Sequence, residues 1–286
     1  MLYSANNATL KINGEEILAS NASLALNTSL NANYVIGDRN TNSYAASNGI
    51  GGTLSFNYFL TGNDYFKTFI TGQGEIPLGE SQVVSGNFGG LNFDSGYLTS
   101  YSVDFAPNSP TAAAVTVSFF DDLQGEFTST EEQVSPATVL STSRLNIESE
   151  FETDEINNFI EGSYNYSSEV APVYLMNETK PSSITFGKKT TSMNFEVDNP
   201  TGNLPVEGTN AKIEVKLRGY NNDEVLDTFS CSGVMQSRDL ASSAGSYIRQ
   251  SINIIQNDSQ IKIVAPKVVF NVGGGNVGIG STSFQG

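Results

Sequence analysis

The sequence predicts an all-β chain of two tandem-duplicated β-sandwich or barrel domains ending in a C-terminal glycine-rich arm. Three observations carry this. Charged residues are only 15% of the 286, so Asn, Ser, Thr and Gly must build most of the polar surface, and these compete with helix backbone hydrogen bonds. Short runs of alternating apolar and polar residues recur between Gly-, Asn- and Pro-bearing turns. Finally, one stretch occurs twice: Leu26-Asn27-Thr28-Ser29 leading to Tyr34-Val35-Ile36, and Tyr166-Ser167-Ser168-Glu169 leading to Tyr174-Leu175-Met176. The tyrosines stand 140 positions apart (174 − 34), which is a domain-sized period.

Taken in order, Ala8 to Ile12 alternates, turns at Asn13-Gly14 and resumes at Glu16 to Ala19, a strong hairpin signal. Ser23-Leu24-Ala25-Leu26 is a further strand, and residues 37–52 read as an exposed, turn-rich loop. Thr53 to Leu60 places Leu54, Phe56 and Tyr58 on one face. Asp64 to Ile70 fits a short helix with its aromatic residues on one side. Strands are expected at Ser81 to Asn87, Gly96 to Phe105 and Ala112 to Phe120, the last apolar enough, through Val115, Val117 and Phe119, to be central.

The second copy aligns at several anchors. Leu54-x-Phe56-x-Tyr58 matches Met193-x-Phe195-x-Val197. Ser95-Gly96-Tyr97-Leu98 matches Ser232-Gly233-Val234-Met235, and Val115-x-Val117 falls on Ile252-x-Ile254. The copies differ at residues 199–210, a turn-rich loop, and in the basic group Lys188, Lys189, Lys212, Lys216 and Arg218. The expected organisation is a first β domain over 1–120, an acidic linker with one or two strands (such as Val139-Leu140-Ser141) over 121–157, a second β domain over 158–258, and a terminal strand and glycine-rich arm over 259–286.

Composition narrows the function classes. A net charge of −16 repels nucleic acid phosphates and argues against tight DNA binding. The absence of histidine excludes a Ser-His-Asp triad, Cys-His pairs and the usual histidine zinc sites. Cys231 is the only cysteine and reads as a small buried hydrophobe. Met1 to Asn7 does not read as a secretory signal, and no apolar run is long enough to cross a bilayer.

No motif outweighs its ordinary explanation. Gly273-x-Gly275-x-x-Gly278 matches the dinucleotide fingerprint in spacing, yet the following residues cannot supply its helix. The acidic residues concentrate in the linker and turns, where a carboxyl stays solvated and unsuited to glycoside hydrolysis. Asp198 to Asn203 and Asn221 to Glu224 offer oxygen ligands without the regular spacing of a calcium loop. The expectation is therefore no enzyme, with no catalytic, cofactor-binding or metal residues.

The pattern Leu10-Lys11-Ile12-Asn13-Gly14-Glu15-Glu16-Ile17-Leu18 followed by Ser23-Leu24-Ala25-Leu26, with the repeated sandwich-sized unit, resembles tailed-bacteriophage virion proteins, most of all the tail tube family. Asn276-Val277-Gly278-Ile279-Gly280-Ser281-Thr282-Ser283 is similar to a short element of phage tail fibre proteins. The first resemblance implies β-sandwich subunits whose strands join those of their neighbours into a continuous barrel, with rings stacked by loops and arms. Two copies per chain would halve the number of chains per ring, and an acidic lumen would let DNA pass without adhering. It implies a virion protein assembled in the host cytoplasm, partnered by itself and other virion proteins, with no membrane. The basic group departs from a uniformly acidic lumen. The fibre-like end points instead to a fibre, neck or baseplate component, and a carbohydrate-binding host-attachment module is the reading from another class.

Overall fold

A computed structural model describes residues 9–27, 30–33, 36, 43–46, 49, 51–62, 64–71, 83–120, 123–128, 138–151, 158–176, 178, 180–198, 207–219, 224–241 and 249–256. The chain is all-β, with one large antiparallel sheet. The terminal arm, Tyr34, Val35 and residues 199–206 and 220–223 lie outside the described residues.

In the first half, β1 (Leu10–Ile12) and β2 (Glu15–Glu16) form the expected hairpin. Its turn residues Asn13 and Gly14 both have positive φ, 49° and 85°, as a type I′ turn requires. Next come β3 (Ala19–Asn27), β4 (Leu30–Asn33), β5 (Ser43–Ala46) and β6 (Gly51–Phe59). The loop expected over 37–52 is corrected here, because β5 pairs with β4 in a separate two-stranded sheet and Gly51 already belongs to β6. Four residues flanked by turn formers carry too little alternation to reveal a strand whose partner makes it one. Helix α1 (Lys67–Thr71) follows, then β7 (Val83–Phe88), β8 (Leu91–Phe105) and β9 (Ala112–Phe119). Leu54, Phe56 and Tyr58 are buried together, and β9 is central, flanked by β6 and β8.

The second half contains β10 (Leu145–Phe151), β11 (Phe159–Val173), β12 (Ser183–Val197), β13 (Asn210–Arg218), β14 (Val225–Ala241) and β15 (Arg249–Gln256). The strand of the acidic stretch is β10, paired with β13. At 139–141 there is only a single bridge, Pro110 to Ser141, beside the buried Leu140.

Pairing follows the same order in both halves: β1-β7-β8-β9-β6-β3 in one and β10-β13-β14-β15-β12-β11 in the other. The register repeats as well. Leu54 faces Val117 as Met193 faces Ile254, and Phe56 faces Val115 as Phe195 faces Ile252. Two irregularities recur at corresponding places: between Ala19 and Asn21 on β3 and between Phe159 and Glu161 on β11, then between Leu98 and Ser100 on β8 and between Met235 and Ser237 on β14. A bulge offsets side-chain alternation by one residue, so matching bulges keep the same faces buried in both halves.

The halves join through β8. Its first part, to Tyr97, pairs with β7. Beyond the bulge, Ser100 to Phe105 pairs instead with Ser167 to Gly162 of β11. One apolar cluster runs across this seam, including Tyr101, Val103, Phe105, Tyr164, Phe195 and Phe229. Phe105 stacks on Phe195 at 6.4 Å, and Tyr101 meets Tyr164 edge-on at 6.2 Å. Each such ring contributes about 1.5–3 kcal/mol through burial. Tyr174 lies just past the end of β11, half-buried with its ring against Gly49, while Leu175 and Met176 beside it are exposed.

Candidate functional site at the junction of the two halves

Two acidic side chains sit at the seam, where the sequence led us to expect none. Asp64 precedes α1 in an aromatic run that folds inward, with Phe66 fully buried and Tyr65, Phe69 and Ile70 packed on the core. Its carboxylate is only 5% exposed. It accepts from the Tyr58 hydroxyl (2.7 and 2.9 Å to its two oxygens), from the Tyr101 hydroxyl and from the Phe66 N–H (3.1 Å). Asp227 lies on β14, in phase with the buried Phe229 and Cys231, and is 4% exposed. It accepts from the Asp64 N–H (3.3 Å) and the Thr228 N–H (2.7 Å), and Lys67 of α1 makes an ion pair with it. The Lys67 ammonium also stands 5.2 Å from the Phe229 ring centre, within cation–π range.

Burial pushes the Asp64 carboxyl up from its ordinary value. The Tyr101 and Tyr58 hydroxyls and the Phe66 N–H pull it back, and the Asp227 charge adds to the rise. The Tyr58 and Tyr101 phenols are themselves held above their usual range, first by burial and then by Asp64. A carboxylate whose oxygens are engaged by two phenols and a backbone N–H acts as a fastener between strands. Lys67 and Asp227 extend it from the first half to the second.

Three clefts lie nearby. One of about 240 Å³ is bordered by Glu15, Glu16, Tyr58, Gly62, Asp64 and Tyr65. A second, about 500 Å³, opens where the halves meet, between Phe105, Asn108, Thr142, Phe159, Glu161 and Phe195. A third, about 430 Å³, adjoins it and is bordered by Asp104, Phe105, Glu161, Asn194, Phe195 and Glu196. Among the described residues no group of three acidic or thiol side chains could hold a metal ion. No helix of the described residues is long and apolar enough to cross a membrane.

Two members of the basic group of the second half, Lys212 and Lys216, are paired with local acids. Lys216 contacts Glu148 of β10 at 2.5 Å, and Lys212 contacts Glu214 at 2.9 Å. Cys231 is fully buried, its thiol 3.7 Å from the Ile254 carbonyl, as a small core side chain would be. Period-two reading of β14 could have marked Asp227, since an acid on the core-facing side of a strand needs a partner. Asp64 had no comparable signal, because its short segment has no settled period.

Compared with known protein families and with curated protein sequences, the chain matches none.

Proposed function

We propose that this chain is a structural subunit of a tailed-phage virion, a tail tube protein that arose by tandem duplication and forms stacked rings around an acidic DNA channel. The observation that carries the reading is the shared pairing order of the two halves, with central register and two of the bulges at matching positions. A sheet built from two like units fused edge to edge is already a short section of a repeating assembly. The net charge of −16 supports a wall past which DNA slides without adhering. The pairing of Lys212 and Lys216 with Glu214 and Glu148 offsets part of the local positive charge that spoke against such a lumen.

Negative-stain electron microscopy of the purified full chain tests the reading. Symmetric rings or filaments are expected. Protein that stays monomeric at every concentration, or forms slender trimeric spikes, would overturn it.

A further inference from the structure

The pairing that joins the two halves is not repeated at either of its counterparts among the described residues. On the side of β11 away from β12, Gly162 to Ser167 pairs with β8. The equivalent side of β3, away from β6, has no paired strand among the described residues. On β8 the receiving segment follows the bulge, where β7 has ended. On β14 the equivalent segment, Ser237–Ala241, follows the matching bulge and lies beyond Val234, where β13 has ended; its only paired strand among the described residues is β15.

Burial tells the same story. Tyr164 and Tyr166 on β11 are 3% and 5% exposed beneath the β8 contact. Their counterparts on β3 are Leu24, half-buried, and Leu26, 43% exposed. The other outer edges are guarded: β2 is Glu15-Glu16, and β10 carries Glu148 and Glu150. The nine residues of β3 contain no charge at all. A long uncharged edge strand invites pairing with another chain.

We infer that β3 of one chain adds, antiparallel, to the Ser237–Ala241 segment of β14 in a second copy, repeating between chains the β11-to-β8 pairing made within each. Transferring that register puts Ser23 opposite Ala241, Leu24 opposite Leu240, Ala25 opposite Asp239, Leu26 opposite Arg238 and Asn27 opposite Ser237. Arg238, ion-paired with Glu207, stands where β8 has Tyr101, so an aliphatic stem covers Leu26 in place of a ring. Donor and acceptor edges differ, so the contact is head-to-tail and propagates into a closed ring or a filament. This inference rests on the assembly proposed above and adds which edges meet and in what register.

The test uses the full chain carrying Ala25→Cys with Asp239→Cys, both at exposed positions. Directly opposed residues of paired strands lie close enough for a disulfide, and the buried Cys231 does not compete. Mild oxidation should convert most of the protein into a reducible ladder of dimers and higher species, and Ser23→Cys with Asp239→Cys, two residues out of register, should give several-fold less. Leu26→Lys should abolish rings or filaments while leaving the unfolding midpoint unchanged. If assemblies form but the matched pair does not cross-link and Leu26→Lys leaves them intact, the edge assignment is overturned and the tube reading stands. If the disulfide closes within one chain, the assignment is overturned as well. If no assembly forms under any condition, both readings fail.

Discussion

The backbone N–H of Asp64 donates to the carboxylate of Asp227, 163 positions further along the chain, at 3.3 Å. With the Lys67–Asp227 ion pair it ties the segment leading into α1 to the start of β14. The two halves are thus held twice, by the β8–β11 ladder and by this buried polar contact.

Asp227→Ala removes the acceptor for Lys67, whose side chain is 20% exposed. Breaking a buried pair from one side costs about 3–5 kcal/mol, and the partial exposure of Lys67 places this case at the lower end. Urea unfolding followed by circular dichroism should show that loss, and a change indistinguishable from wild type would mean the pair does not fasten the halves.

Asp64 has its carboxyl raised from 3.8 in the folded chain, chiefly by burial. Between the unfolded value and the raised folded value, the native state binds the proton more tightly, so stability falls as pH rises through that window and levels off above it. Asp64→Asn removes this component. The stability difference between wild type and variant, measured by urea unfolding from about pH 3.5 upward, should therefore shift against wild type as pH rises and then become constant.

Tyr101→Phe keeps the ring in its fully buried place and deletes one donor to Asp64. Loss of a hydrogen bond to a charged acceptor costs about 1.5–3 kcal/mol. Because that hydroxyl lowers the Asp64 carboxyl, its removal should also carry the pH-dependent window further upward, a change that a purely steric effect would not produce.

Gly86→Ala would set a Cβ 2.2 Å from the Phe93 ring, which is itself stacked on Phe119 at 4.6 Å. Overpacking of this kind costs about 1–3 kcal/mol. Combining it with Phe93→Leu should cost clearly less than the two single changes together, and thermal unfolding of the four proteins of the cycle would measure the coupling.

Much of the first half could be read from local pattern. The Asn13-Gly14 turn needs only its own backbone angles, and Leu54, Phe56 and Tyr58 alternate inside a single strand. The matching pairing order lies in strands such as β3 and β11, whereas Tyr174, which the sequence singled out, lies past the strand end with exposed Leu175 and Met176 after it. The buried acids were harder. Asp227 was detectable from its phase with Phe229 and Cys231, whereas Asp64 is buried because Tyr58 of the preceding strand meets it together with Tyr101 and Asp227 of two distant ones.

By itself, then, the sequence determined an all-β chain and the inward faces of its main strands, because side-chain alternation is a local consequence of strand geometry. Only the tertiary structure decided that β8 passes from β7 to β11, that the halves share one sheet, and that β3 pairs with β6 alone, and the end of β14 with β15 alone, among the described residues. Strand pairing is made by backbone N–H and C=O groups that are nearly the same at every residue, so the choice of partner leaves little trace in the sequence until the strands are placed side by side.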